Sequence, residues 1–340
     1  MLIKHPVWQA RIHRFRRNRL GFFSLIMFSL IFLACMGANL IANDKPILVN
    51  YQNHWYFPIV KSYPETTFGG VFETETNYQD PVVKDLINQH GYMIEPMIPF
   101  ADQTPSVMRS VPFPAPPNAQ NWFGTDDQGR DVLARVLYGL RVSLLFGLAL
   151  TVAGSIIGIA VGAVQGYFGG WTDLVGQRLM EVWGGLPQLF MIIILVSLFS
   201  PSVFVLFGLM LLFGWMGLVG LVRAEFLRAR NFDYVRSAKA MGVSDGKIMF
   251  RHILPNAMSS SLSQLPFILT ANITALTTLD YLGYGLPAGS PSLGELISQG
   301  KDNLDSPWLA LAGFFSLTIV LSLLIFIGEA LRDAFDPRQS

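Results

Sequence analysis

The sequence has little charge and almost no cysteine. Only 14% of its 340 residues are charged, against about 25% in a typical soluble domain, and the mean hydropathy is +0.42. A chain so poor in charge lacks the polar surface that a water-soluble or disordered protein needs. The single cysteine, Cys35, excludes a disulfide framework and a cysteine zinc cluster. These absences indicate a membrane protein.

Motifs for catalysis and for energy coupling are missing as well. No H-E-x-x-H motif is present, and Gly246-Lys247 lacks the other residues of a phosphate loop, since Met241 and Ile248 stand at their positions. No long apolar run carries a central ionisable residue of the kind that proton-coupled carriers need. The sequence therefore predicts no enzyme, no cofactor and no metal. Energy for uphill transport is expected from a partner.

Five long runs contain no charged residue, whereas one transmembrane helix needs about 20 mostly apolar residues. The runs are 20–43, 142–172, 182–222, 253–279 and 306–328. The third is long enough for two helices, and Ser200-Pro201-Ser202 near its middle marks the turn. The sequence thus predicts an all-α membrane protein with six transmembrane helices.

Glycines within these runs predict close helix packing. Four recur at every fourth residue of the second predicted helix, and three lie close together in the fourth, which lets another helix approach. They are Gly154, Gly158, Gly162 and Gly166, then Gly214, Gly217 and Gly220. In the third predicted helix, the residues 184–187, Gly-Gly-Leu-Pro, are expected to break or kink it.

The distribution of basic residues predicts the topology. Residues 1–19 hold six Lys or Arg and no acid, and 223–256 hold seven Lys or Arg, so both segments and both termini are expected in the cytoplasm. Residues 20–43 form the first helix, and 136–340 form a five-helix core that contains the loop 223–256. The insertion 44–135, with eleven acidic against six basic residues, is then external. We expect an irregular, packed element with a few short strands, either a tolerated loop or a docking surface.

The fifth apolar run is unusually polar. Hydroxyl and amide side chains are costly against lipid, so they should face protein or water. Two interpretations stay open, namely structural contacts between helices and a share of a polar conduit. The residues proposed for the conduit are Ser263, Gln264, Thr270, Asn272 and Thr274.

The basic loop 223–256 is predicted to contain two short helices. The first covers 232–242, and the second covers 246–254, begins at a Ser244 or Asp245 cap and ends at Pro255. Two interpretations are open: an interfacial hairpin on anionic lipid, or the docking site of a partner protein.

The loop resembles the cytoplasmic loop of binding-protein-dependent ABC importer permeases. The resemblance lies in the run from Tyr234 to Gly242, with Ala238 and Gly242 matching the family pattern, and in Leu254-Pro255 twelve residues later. Arg236, Ser237 and His252 depart from that pattern. Before the second predicted helix, a further stretch resembles the second permease of dipeptide and oligopeptide importers, in the peptide and nickel branch. It contains Gly124, Thr125, Asp126, Gly129, Arg130 and Asp131, of which Thr125 or Asp126 is expected to cap a helix.

The resemblance, which is strongest to the Yej-type oligopeptide and microcin C importers, implies a fold, a function and partners. The fold is the type I ABC importer permease with six transmembrane helices, in the bacterial inner membrane. The function is ATP-driven import of oligopeptides, and the loop 223–256 would contact the ATPase. The implied partners are a second permease in a heterodimer, two ATPase subunits and a periplasmic peptide-binding protein, with no nucleic acid.

Two other classes of function stay open on the residues alone. An ATP-independent channel would use the polar fifth helix without the loop. A membrane-anchored receptor would use the external insertion.

Overall fold

The computed structural model describes residues 6–105 and 112–335, which are mainly helical. The first and last five residues of the predicted cytoplasmic termini lie outside this range. The chain divides into two compact units. The helical unit comprises Ser143–Pro287 with the described parts of Met1–Ser29 and Thr318–Ser340, and the insertion unit comprises Leu30–Val142 and Ala288–Leu317.

Fifteen α-helices are present in the described residues. In chain order they are α1 (Pro6–Arg17), α2 (Arg19–Met36), α3 (Ala38–Ile41), α4 (Pro81–His90), α5 (Val132–Phe168), α6 (Gly170–Gly184), α7 (Gln188–Ser197), α8 (Val203–Gly214), α9 (Val219–Ala229), α10 (Asp233–Ala240), α11 (Asp245–Lys247), α12 (Leu254–Leu262), α13 (Leu265–Tyr281), α14 (Leu293–Asp302) and α15 (Pro307–Phe335). Short 3-10 helices cover Glu65–Phe68 and Trp215–Leu218, and a π-helix covers Ile248–Ile253.

The glycines of α5 pack against the backbone of the segment that leads into and through α9. A Cβ atom on Gly162 would lie 2.7 Å from the carbonyl oxygen of Val219, and one on Gly166 would lie 2.5 Å from that of Arg223. Contacts this close leave no room for a side chain, so the prediction of close packing is confirmed for α5. The Gly214 carbonyl oxygen lies 3.5 Å from a Cβ atom placed on Gly154, so Gly214 takes part in this packing. The prediction is wrong for Gly217 and Gly220, because a Cβ there would meet described atoms only at 3.9 Å or further.

The predicted break at residues 184–187 is confirmed. Helix α6 ends at Gly184, α7 begins at Gln188, and the two helices bend by 72° at this point. Pro187 occupies the N-cap of α7 with an extended backbone, which ends the preceding helix. The predicted turn at 200–202 lies between α7 and α8, as expected.

The count of six transmembrane helices stays a prediction. Among the described residues, four helical segments are long and apolar enough to cross a membrane, or five if the bent pair α6 and α7 is one span. They are Arg19–Met36, Val132–Phe168, Val203–Ala229 and Pro307–Phe335. The predicted fifth span is divided into α12 and α13 near Ser263 and Gln264, because Pro266 lacks the N–H that a continuous helix needs.

The insertion unit contains a three-stranded antiparallel sheet. Strands β1 (Leu48–Tyr51), β2 (His54–Tyr56) and β3 (Gly91–Ile94) have the order β2-β1-β3, with Val49 opposite Tyr56 and Met93. Helix α4 begins at Asp80, whose carboxylate accepts a hydrogen bond from the N–H of Val82 at 2.9 Å. This is the arrangement that favours aspartate at an N-cap.

An aromatic core holds this part of the insertion together. Phe68 is fully buried, and four tyrosine rings meet its edge or face with centroids 5.3 to 6.3 Å away. Aromatic pairs in such tilted arrangements stabilise a core beyond the area they bury. The rings belong to Tyr51, Tyr56, Tyr63 and Tyr78. The expectation of a packed element with a few short strands is therefore confirmed for this part of the insertion.

Candidate functional site

The loop 223–256 presents a short exposed helix. Tyr234 and Arg236 of α10 are exposed, and so is Met241, which follows the helix. Gly242 has a left-handed backbone with φ +76°, and no atom of the described residues lies within 4 Å of a Cβ placed on it. One edge of α10 is thus free for a contact outside the chain.

The opposite side of α10 faces a hydrophobic cluster. Ala238 is only 4% exposed and packs with Val235, Ile248 and Ile253. Of the matched loop residues, Ala238 is therefore a packing residue rather than a surface residue. Leu254 is half-buried against the same cluster, and Pro255 is exposed.

The predicted second helix of the loop does not end at Pro255. A π-helix follows α11 and continues directly into α12, in which Pro255 occupies the first turn. Proline is tolerated there because the first turn has N–H groups without helical acceptors. Ser244 is the N-cap of α11, as one of the two predicted caps, but its side chain makes no capping hydrogen bond.

The sequence is expected to lack motifs for catalysis, yet residues 242–246 match the G-x-S-x-G motif, which carries the nucleophile in α/β-hydrolases. In those enzymes the serine stands on a turn between a strand and a helix. Here the segment joins two helices, and Ser244 is exposed. The context that the motif needs is absent from this part of the described structure, so we interpret the segment as a helix linker.

Two polar contacts behind the loop escaped the sequence analysis. The Tyr167 hydroxyl donates to Asp245 Oδ1 at 2.5 Å, and the Arg223 guanidinium makes two hydrogen bonds to the Asp173 carboxylate at 2.5 and 2.7 Å. In the sequence, Asp173 and Arg223 only marked the ends of apolar runs. No spacing rule links them, because their positions are brought together by the fold of α6 onto α9.

The polar residues of α13 mostly form hydrogen bonds within the helix. Thr270 donates to the carbonyl of Pro266, and Thr274 donates to that of Thr270, each at 2.8 Å. Asn272 donates to the Thr151 hydroxyl of α5 at 2.9 Å, which is a contact between helices. Thr274 is exposed, Gln264 is half-buried and Ser263 is buried. The five predicted conduit residues thus do not share one surface.

The motif before α5 forms a buried turn in the insertion unit. Thr125 accepts a hydrogen bond from the N–H of Ala115 at 2.8 Å, and Asp126 forms an ion pair with Arg130 at 2.7 Å. Gly124 and Gly129 have left-handed backbones, with φ of +75° and +77°. A side chain on Gly129 would strike the Phe113 ring, so this turn requires glycine for both conformation and space.

Arg135 and Glu295 complete an ionic cluster that the sequence analysis missed. Glu295 of α14 binds Arg130 at 3.2 Å and Arg135 at 2.5 Å through different carboxylate oxygens. Arg135 is fully buried and also donates to the carbonyls of Asp102 and Ser290, at 3.2 and 3.0 Å. The available signal was an arginine one turn after Asp131, near the start of a mostly apolar helix.

Asp131 caps α5. Its carboxylate accepts the N–H of Ala134 and the side-chain amide of Asn121, each at 2.8 Å. The expectation of a cap at Thr125 or Asp126 was wrong, because those residues lie within the turn that precedes the helix. Burial raises the pKa of the Asp131 carboxyl above its usual range, since loss of water disfavours the charged form.

Two family models match the sequence. The description "Binding-protein-dependent transport system inner membrane component" matches residues 154–340, and "N-terminal TM domain of oligopeptide transport permease C" matches residues 7–58.

Curated relatives match over nearly the whole chain. The inner membrane ABC transporter permease protein YejE of Escherichia coli is 55% identical over 98% of this chain and 98% of its own length. The peptidoglycan transport system permease protein YejE of Agrobacterium fabrum is 50% identical over 98% and 94%. The oligopeptide transport system permease protein OppC of Bacillus subtilis is 34% identical over 66% and 73%. Among solved structures, a chain of the MetNI methionine ABC transporter in inward-facing conformations aligns with a TM-score of 0.47 and 14% identity, over 60% of this chain and 96% of that chain.

Proposed function

Because the chain belongs to the family of binding-protein-dependent transport system inner membrane components, we propose that it is the permease subunit of an ATP-driven importer of oligopeptides. The substrates of its relatives support this class, since one relative is an oligopeptide permease and another a peptidoglycan permease. Both classes contain short peptides. Uptake of peptide antibiotics such as microcin C stays a prediction from the sequence resemblance.

The observation that carries the proposal is the exposed edge of α10. Tyr234, Arg236 and Gly242 lie at the surface, while Ala238 anchors the same helix in a hydrophobic cluster. A helix that is fixed on one side and open on the other can transmit the movement of a partner bound to it. We assign this edge as the contact for a separate ATPase subunit.

Topology and partners follow from the same proposal. The concentration of Lys and Arg in 1–19 and 223–256 supports a cytoplasmic position for both segments, and a periplasmic position for the insertion 44–135. The remaining partners are a second permease, a second ATPase and a periplasmic peptide-binding protein. The insertion would face the binding protein.

The conduit is proposed to include the exposed part of the polar face of α13. Thr274 is exposed and Thr270 is half-buried one turn before it. Their hydroxyls donate to the helix backbone, which leaves the oxygen lone pairs available to a peptide. Asn272 has a structural part in this arrangement, because it bonds to Thr151.

A charge on the open edge of α10 tests the ATPase contact. We expect Gly242→Asp to reduce peptide uptake at least about tenfold, because the carboxylate must be desolvated in the contact. Gly242→Asn is the matched control, since asparagine has the same size and also tolerates a left-handed backbone. The complex would be purified from native membranes, identified by mass spectrometry and assayed in liposomes for uptake of an isotope-labelled peptide hydrolysate.

The outcomes separate clearly. Loss of uptake and of ATPase subunits in the Asp variant alone supports the docking contact. Normal uptake by a stably inserted Gly242→Asp protein, or a chain that is always purified without an ATPase, contradicts it.

A further inference from the structure

One residue at the end of α5 is bound by both arms of the loop 223–256. The Tyr167 hydroxyl donates to Asp245, which follows α10 in the chain. The Tyr167 backbone carbonyl accepts a hydrogen bond at 3.4 Å from Arg230, which precedes α10. The exposed helix α10 is therefore bracketed by two contacts to the same residue.

The hydrogen bond from the Tyr167 hydroxyl to the Asp245 carboxylate is a short one. Its length of 2.5 Å is in the range of hydrogen bonds from a hydroxyl to an ionised carboxylate, which are about twice as strong as neutral ones. Tyr167 is only 8% exposed, whereas Asp245 is exposed, so the tyrosine side of the contact is shielded from water and the carboxylate side is not. Because Asp245 begins α11, the contact also fixes the start of the second half of the loop.

Hydrophobic packing reinforces the link. The Tyr167 ring belongs to the cluster that contains Val235 and Ala238 of α10, together with Ile248 and Ile253 of the π-helix. Earlier in α5, Gly162 and Gly166 contact the backbone of α9 without intervening side chains. Such contacts do not deform continuously, so α5, α9 and the loop are expected to move as one body.

We propose that Tyr167 and Asp245 are positioning residues that transmit displacement of the loop 223–256 to α5. This inference rests on the proposed function, because it presumes that the ATPase moves the loop. The driven element is then α5, which precedes the loop in the chain, in addition to α9 and α12, which are covalently joined to it. The hydroxyl of Tyr167 matters for the coupling, whereas its ring matters for packing.

Removal of the hydroxyl alone tests the proposal. The Tyr167→Phe variant would be assayed in the complete transporter in liposomes. We expect that transporter still to hydrolyse ATP, while the amount of labelled peptide imported per ATP falls by about tenfold. A loss of this order is expected when a charge-assisted hydrogen bond is removed. Asp245→Ala should have the same effect. Asp245→Asn retains an acceptor oxygen without the charge and should recover part of the coupling. The double variant Tyr167→Phe with Asp245→Ala should be no worse than either single variant, because both remove one interaction.

A spectroscopic measurement gives a second readout that does not depend on the amount of protein recovered. Cys35 is the single cysteine, so in a Cys35→Ala background spin labels can be attached at two introduced cysteines. These would replace Lys239 on α10 and Phe168 at the end of α5, which are both exposed. The distribution of distances between the labels should be narrow with Tyr167 and broader with Tyr167→Phe. Tyr284→Phe, at an exposed tyrosine outside the loop, is the control.

Failure of this inference can be told from failure of the proposed function. Unchanged coupling and an unchanged distance distribution in Tyr167→Phe would overturn the inference alone if Gly242→Asp still blocks uptake. If Gly242→Asp has no effect either, the proposed ATPase contact fails and the inference fails with it.

Discussion

At the scale of single residues, Asp131 shows how a charge is used where water is scarce. Its carboxylate caps α5 through the N–H of Ala134 and holds the amide of Asn121. Burial disfavours its charge and raises its pKa. A group whose folded pKa is raised lowers stability as the pH rises through its unfolded and then its folded pKa.

Substitutions of Asp131 should therefore differ. Asp131→Ala removes the cap and leaves Asn121 without its acceptor, so the free energy of unfolding should fall by about 1–2 kcal/mol. Asp131→Asn keeps an acceptor and removes the buried charge, so its loss should be smaller. Thermal unfolding of the detergent-solubilised chain would measure both.

The pH dependence gives the control. The stability of Asp131→Asn relative to the natural protein should be higher at pH 7 than near pH 4, because the raised pKa keeps more of the natural carboxyl protonated at low pH. A difference between the two proteins that is the same at both pH values would contradict the role of the buried charge.

At the scale of elements, the spacing of the α5 glycines predicted a packing face but did not identify the segment that packs against it. The interval of four residues predicts one face of a helix, and that face does pack closely. Gly217 and Gly220 recur at an interval of three residues, yet a Cβ on either would meet described atoms only at 3.9 Å or further. Sequence spacing defines a face, whereas its neighbour depends on the arrangement of all the helices.

A pair of identical substitutions separates these two kinds of glycine. Gly162→Ala places a methyl group 2.7 Å from the Val219 carbonyl oxygen, so we expect a loss of about 1–3 kcal/mol in the free energy of unfolding. Gly220→Ala in α9 meets no atom of the described residues within 4 Å and should be neutral or stabilise the helix by up to about 1 kcal/mol. Thermal unfolding of each purified chain in detergent is the measurement. Equal effects of the two would show that the close contact of α5 is absent in the protein.

At the scale of the whole molecule, composition was sufficient to predict a helical membrane protein, and the loop motif was sufficient for the family. The interrupted helices were harder to predict. Pro187 lies at a break that the sequence predicted, whereas Pro266 divides a run that the sequence predicted to be continuous. A proline only restricts the backbone, and the surrounding packing decides whether the helix ends there. The cluster of Arg135 and Glu295 joins positions 160 residues apart, which no local pattern reveals.

The insertion unit offers a prediction at this scale, because it contains its own core. Phe68→Ala removes the central ring and should destabilise that core by about 3–5 kcal/mol. Hydrogen exchange of the purified chain should then increase over residues 48–94. Phe72→Ala, at an exposed phenylalanine nearby in the sequence, should leave this exchange unchanged. Equal exchange in the two variants would contradict the assignment of Phe68 to the core.

The shared carboxylate of Glu295 also constrains how this sequence can diverge. It neutralises two buried guanidinium groups, Arg130 and Arg135. A lineage that lost the acid alone would keep two neighbouring cations with Asp126 as the remaining buried carboxylate among the described residues, an expensive intermediate. Position 295 and one of the two arginine positions are therefore expected to covary among descendants of a common ancestor, although α14 and the start of α5 lie far apart in the chain.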